Sequence, residues 1–163
     1  MAVEYPYVPK TTRDLKPGDY WKTPLDGGGY ACRRVVQLSI DPQTGRRDRV
    51  SFLAGLMDWF GLEMPTERIL AKKRIVEQGN VHVKTIRETG GMIRGNRSLA
   101  LDGLSPWIFR TAEYGRTIQC GYYELRDFDE DIDADLPVIS AWGYCHIKDL
   151  AEDRFRNRRR TKR

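Results

Sequence analysis

The chain of 163 residues holds few side chains of the kinds that carry out covalent chemistry. There are two histidines, His82 and His146, and three cysteines, Cys32, Cys120 and Cys145. A nucleophilic dyad needs thiol and imidazole to meet in space. Cys145 and His146 are adjacent, and in the strand expected there they point to opposite faces. Cys120 with His146 is the pairing left, and a buried thiol with an unrelated histidine is the preferred reading, because free cysteine is commonly a core residue. The cysteines form no CxxC pair, so neither a disulfide framework nor a zinc site is indicated, and reduced thiols of a cytoplasmic protein fit best. The glycine clusters Gly27-Gly28-Gly29 and Gly90-Gly91 lack the GK[ST] that completes a phosphate loop, and no GxSxG or HExxH occurs. We expect no enzyme activity and no cofactor.

Charge is the stronger signal. The net charge is +5, but six positive charges lie in residues 156–163 (RNRRRTKR), which leaves residues 1–155 one charge to the negative side of neutral. A second block, DFDEDIDAD, places Asp127, Asp129, Glu130, Asp131, Asp133 and Asp135 within nine residues. Read as a calcium loop from Asp127, it has Ile132 where glycine is needed and Val138 where the bidentate glutamate belongs. Six clustered carboxylates repel one another, so something must compensate them: the arginine-rich tail of the chain itself, or a basic partner. We therefore expect these six residues to contribute to binding a basic protein, since clustered like charge steers association. The tail offers an alternative function, binding nucleic acid through phosphates. No basic face with interleaved aromatics backs it, and Trp21, Trp59, Trp107 and Trp142 are expected in the core.

These groups must be positioned by a sheet-rich scaffold. Leu15 to Ile40 reads as a β-hairpin turning at Asp26 to Gly29. Beyond the turn, Tyr30, Cys32, Val36, Leu38 and Ile40 alternate with Ala31, Arg33, Gln37 and Ser39, which predicts one buried and one wet face. Arg34 interrupts the apolar face. Asp41 to Gly45 is a turn, Val50 to Phe60 a strand, and Gly61 to Glu67 a loop. Thr66 to Arg74 fits a short helix or a strand edge. Asn80 to Thr89 is predicted helical, with Asn80 as cap, Val83 and Ile86 on one face and Gly90-Gly91 as the stop. Trp107 to Thr111, Thr117 to Leu125 and Val138 to Ile147 read as strands, and Asp149 to Arg160 as a final helix anchored by Leu150 and Phe155. The fold class is mainly β or α+β: a strongly bent antiparallel sheet or small half-barrel with one or two helices. Residues 1–155 are expected to form a single β-rich domain and residues 156–163 a basic, disordered tail. No apolar run approaches a membrane span, and the first residues lack a secretory signal.

The run KPGDYWKTPLDGGGYACRRVV resembles the opening of the immunity protein 26 family of bacterial polymorphic toxin systems. Gly18-Asp19 holds the place of that family's Gly-Asp step, Tyr20-Trp21 its aromatic strand, Gly27 to Gly29 its turn and Tyr30 to Val36 its second strand. The resemblance covers chiefly residues 15 to 60. It implies a mostly-β cytoplasmic protein that binds and neutralises a cognate protein toxin, with no membrane association and no catalytic residue. The alternative is a small β-barrel accessory protein that binds nucleic acid through the arginine tail.

Overall fold

The computed structural model describes residues 3–41, 43–111 and 116–160. Strands β1 (Asp19–Pro24) and β2 (Tyr30–Ile40) form the expected antiparallel hairpin, closed by hydrogen bonds from the Leu25 amide to the Gly29 carbonyl and from the Gly28 amide to the Leu25 carbonyl. The Asp41 carboxylate accepts from the amides of Gln43 and Thr44 and turns the chain into β3 (Arg47–Gly61). With β4 (Ile75–His82), β5 (Gly95–Asn96) and β9 (Ala141–Trp142) these strands make one six-stranded sheet, ordered β5-β1-β2-β3-β4-β9. A second sheet, β6 (Ile108–Arg110), β7 (Thr117–Cys120) and β8 (Tyr123–Asp127), has three strands. The helices are α1 (Glu67–Leu70), α2 (Lys84–Thr89), α3 (Glu130–Asp133) and α4 (Tyr144–Arg160).

The large sheet is covered on both sides. One core joins Trp21, Val35, Phe52, Leu56 and Val81 to Ile86 of α2 and to Ile147, Ala151 and Phe155 of α4. The other joins Tyr20, Cys32, Val36, Leu53 and Met57 to Leu70 of α1 and Phe109 of the small sheet. Each fully buried Val, Leu, Ile, Phe or Met among them contributes about 1.5–3 kcal/mol. The small sheet is tied down by three amide side chains from the large one, Gln78, Gln37 and Asn80. The Gln78 amide donates to the Ser105 carbonyl (2.9 Å) and accepts from the Trp107 amide (3.0 Å), while Gln37 accepts from the Tyr122 amide (2.8 Å).

Among the described residues the chain is mainly β with four α-helices, an α+β arrangement as the sequence indicated, but in two sheets that do not close into a barrel. The large sheet is mixed, because β9 runs parallel to β4. Neither face of β2 is wet: Arg33 and Arg34 are both fully buried, on opposite faces. A register shift between Val35 and Gln37 places Val36 in one core and Leu38 in the other, and Ile40 is exposed. Asn80 caps no helix. It lies in β4, where its side-chain oxygen accepts from the Tyr122 hydroxyl, and helix α2 begins after His82, whose Nδ1 accepts from the Lys84 amide. Thr117 to Leu125 is a hairpin rather than one strand, and the last strand stops at Trp142 so that α4 starts at Tyr144. Helix α4 continues through residue 160, so the basic segment begins as helix instead of a disordered tail from 156; residues 161–163 lie outside the described part.

Candidate partner-binding surface

The acidic block follows directly on β8. The β7–β8 turn is docked on the large sheet, because Gly121 adopts φ +58° and a Cβ there would lie 2.0 Å from the Gln37 side-chain oxygen that receives the Tyr122 amide. Only glycine fits both demands. The turn is therefore anchored, and β8 projects from it with all five residues exposed. Beyond β8, Asp129 caps α3 by accepting from the Asp131 amide (3.0 Å). The chain then crosses to the far edge of the small sheet, where Arg110 donates its amide to the Pro137 carbonyl and its Nε to the Leu136 carbonyl, each at 2.9 Å.

Of the six predicted contact residues, Asp127, Asp129, Glu130, Asp131 and Asp135 are exposed. Asp133 is not: it is 2% exposed, and both its oxygens receive the Arg126 guanidinium, at 2.6 and 2.7 Å, while the Asp129 amide adds a third bond at 2.9 Å. These bonds, above all the guanidinium, hold the Asp133 carboxyl below the usual carboxylate range. Its inward turn removes Asp133 from the contact surface and makes it the pin that shapes the loop. Three large apolar side chains stand among the exposed acids: Tyr123 at 52%, Leu125 at 56% and Ile132 at 70% exposure. Sequence reading missed these, because apolar residues beside a strand are ordinarily assigned to the core. The arginine-rich end of α4 is engaged elsewhere, Arg156 with Asp153 (2.8 Å) and Arg158 with Asp58 (2.6 Å).

The other sequence candidates fall apart spatially. Cys120 lies in β7, its thiol 3.7 Å from the Pro106 carbonyl, whereas His146 lies on α4 beside Trp142, across the large sheet. Cys32 is buried in the core between, and burial pushes its thiol upward, away from thiolate. Among the described residues no three His, Cys, Asp or Glu side chains converge as a metal site, and no helix is long and apolar enough to cross a membrane.

Asp19, of the Gly-Asp step, is fully buried and entirely occupied by internal donors. It accepts from the Tyr5 hydroxyl (2.9 Å), the Tyr7 hydroxyl (2.7 Å), the Lys16 amide (2.9 Å) and the Asn96 amide nitrogen (2.8 Å). Burial and the Asp19 bonds push both phenols upward, so they remain protonated donors. This carboxylate fastens the N-terminal segment and β5 to β1. A surface hollow of ≈ 510 Å³ beside it is lined by Tyr7, Val8, Lys10, Arg13, Asp14 and Lys16.

Comparison with family models, with characterised proteins and with solved structures finds no match.

Proposed function

We propose that this chain is an immunity-type protein that binds and neutralises a basic protein toxin through the surface formed by β8 and α3, with no reaction of its own. The observation that carries the reading is the coincidence, on β8 of the anchored hairpin and the α3 segment that follows it, of five exposed carboxylates with exposed Tyr123, Leu125 and Ile132. Folded chains disperse like charges and cover large apolar side chains unless a partner compensates both. Among the partners the acids select for, a toxin with a cationic cleft for nucleic acid fits, because carboxylates can occupy the phosphate positions. The resemblance of residues 15 to 60 to the immunity protein 26 family supports the same reading. The nucleic-acid alternative has weaker support, since Arg156 and Arg158 are held by carboxylates that offset their charge.

The test replaces Asp127, Asp129, Asp131 and Asp135 by Asn and Glu130 by Gln, keeping Asp133. Binding is measured to the product of the neighbouring gene that co-purifies with the chain. Association should slow by about tenfold or more at low salt and lose most of its salt dependence. Unchanged association kinetics, with the melting temperature intact, would sink the reading.

A further inference from the structure

Sheet edges are where a chain's unpaired amides and carbonyls can take up another strand. The small sheet and the large sheet present four edges. Those at β5 and β9 are two residues long. The β6 edge is covered, because Arg110 bridges to Val138 and donates its amide to Pro137. Strand β8 differs: it is five residues long, its one ladder partner among the described residues is β7, and every residue in it is exposed.

The direction of its amides follows from the ladder. The Phe128 amide donates inward, to the Arg116 carbonyl at 2.9 Å. Thr117, opposite Asp127, directs its own backbone away from β8: its amide bonds the Thr111 hydroxyl (2.9 Å) and its carbonyl accepts from the Thr111 amide (3.0 Å). In an antiparallel pair such a position is non-hydrogen-bonded, so the Asp127 amide points to the open side. The same register sets Glu124 beside Gln119 and Asp127 beside Thr117, which puts both acids on one face of the edge. A shift of register between Ile118 and Gln119 leaves Leu125 as the extra residue of a bulge.

The geometry points to strand addition at β8: an extended segment of the basic partner pairs main chain to main chain with Tyr123–Asp127, displacing the Arg126 guanidinium from the Asp127 carbonyl it reaches at 3.0 Å, with its own Lys or Arg side chains over Glu124 and Asp127. This rests on the proposed function and specifies how that surface is used. The occupant is basic because the edge and the loop after it carry Glu124, Asp127, Asp129, Glu130, Asp131 and Asp135. A second copy would bring two such acidic blocks together, a like-charge arrangement that disfavours pairing.

The experiment uses the full chain and two synthetic peptides of identical charge. One alternates Lys and Val over eight residues. The other is the same peptide N-methylated on every second residue, which removes the main-chain donors of one edge. Amide exchange and chemical shifts are followed by NMR, and affinity by titration of the wild type, Asp127→Asn and Asp127→Pro. The unmodified peptide should slow exchange of the Asp127 amide at least tenfold, and the methylated peptide should not. Asp127→Pro should bind at least tenfold more weakly than Asp127→Asn, which loses the charge but keeps the amide. Equal binding of both peptides without protection at Asp127 overturns strand addition and leaves charge-driven binding standing. No binding of either peptide, together with unaltered association in the five-carboxylate variant, overturns both. If sedimentation shows a dimer of the free chain that Asp127→Pro dissolves, the edge belongs to a second copy and the basic occupant is wrong. Should Asp127→Pro unfold, the exchange contrast between the two peptides on the wild type decides alone.

Discussion

Arg33 and Arg34 are sequence neighbours with opposite surroundings. Arg34 pairs with Asp102 at 2.8 Å, both side chains wholly buried, and Arg97 adds a fork onto the same carboxylate with contacts of 2.8 to 3.1 Å. Burial pushes the Asp102 carboxyl upward, but bonds from Arg97, from the Lys72 amide and from Arg34 outweigh it and hold the group well below the ordinary carboxylate range. Among the described residues no carboxylate stands against Arg33: its donors go to the Thr23 hydroxyl and the Ile147 carbonyl, its Nε is unpaired there, and burial pulls it down to about 9. The two should respond oppositely to substitution. Asp102→Asn leaves a buried guanidinium without its counter-charge and should lower stability by about 3–5 kcal/mol, read from urea unfolding. Arg33→Met combined with Thr23→Val exchanges a buried cation and its hydroxyl partner for apolar volume, and should leave stability unchanged or raise it by about 1–4 kcal/mol. A loss for the double variant as large as for Asp102→Asn would show that Arg33 stabilises the fold.

At the scale of elements, the junction of β4, β9 and α4 depends on close approach. The Trp142 indole lies over Gly79, so that a Cβ there would stand 2.3 Å from Trp142 Cε2, and the ring sits in the core with Ile147 and Phe155. Gly79→Ala must displace the indole and with it the short parallel pairing of β9 on β4. Overpacking of this kind costs about 1–3 kcal/mol. Thermal unfolding and near-ultraviolet dichroism of the tryptophans should both change, and an unaltered melting temperature would show that the ring shifts freely. Strand β4 also explains the misread helix at Asn80. Gln78 and Asn80 are polar in a covered strand because they bond the small sheet, and Val83 and Ile86 supplied helical spacing that belongs to the shorter α2.

Across the whole molecule, acid should be the weak side. Asp102 and Asp58 are held low although burial opposes it, Asp58 by Arg158 and Arg74, and Asp133 is held low by Arg126. A carboxyl whose pKa is lower in the folded chain contributes stability that is complete above its unfolded value, about 4, and is lost as pH falls through its folded value. The melting temperature should therefore be level between about pH 5 and pH 8, below the range where Arg33, Cys32 and the phenols titrate, and fall progressively below about pH 4. Asp102→Asn, already less stable, should show a shallower acid decline. Parallel declines in the two proteins would assign the acid sensitivity to other groups.

Local chemistry in the sequence determined the hairpin turn at Asp26 to Gly29, the long apolar strand from Val50, the stop at Gly90 and the two charge blocks. These depend on backbone freedom, alternation and composition within a few residues. Tertiary structure alone decided which charges are free. Asp133 sits in the same run as Asp131, yet Arg126 across the loop turns it inward; Arg34 is matched by Asp102, which is 68 residues away along the chain. It also decided that β2 is covered on both faces, because the small sheet and α4 close over it from opposite sides. The open edge at β8 is likewise a property of strand order: Tyr123–Asp127 reads like any half-buried strand, and only the absence of a fourth strand on its outer side, among the described residues, leaves it exposed. Periodicity reports which faces of an element differ, whereas burial depends on what the rest of the chain brings to each face.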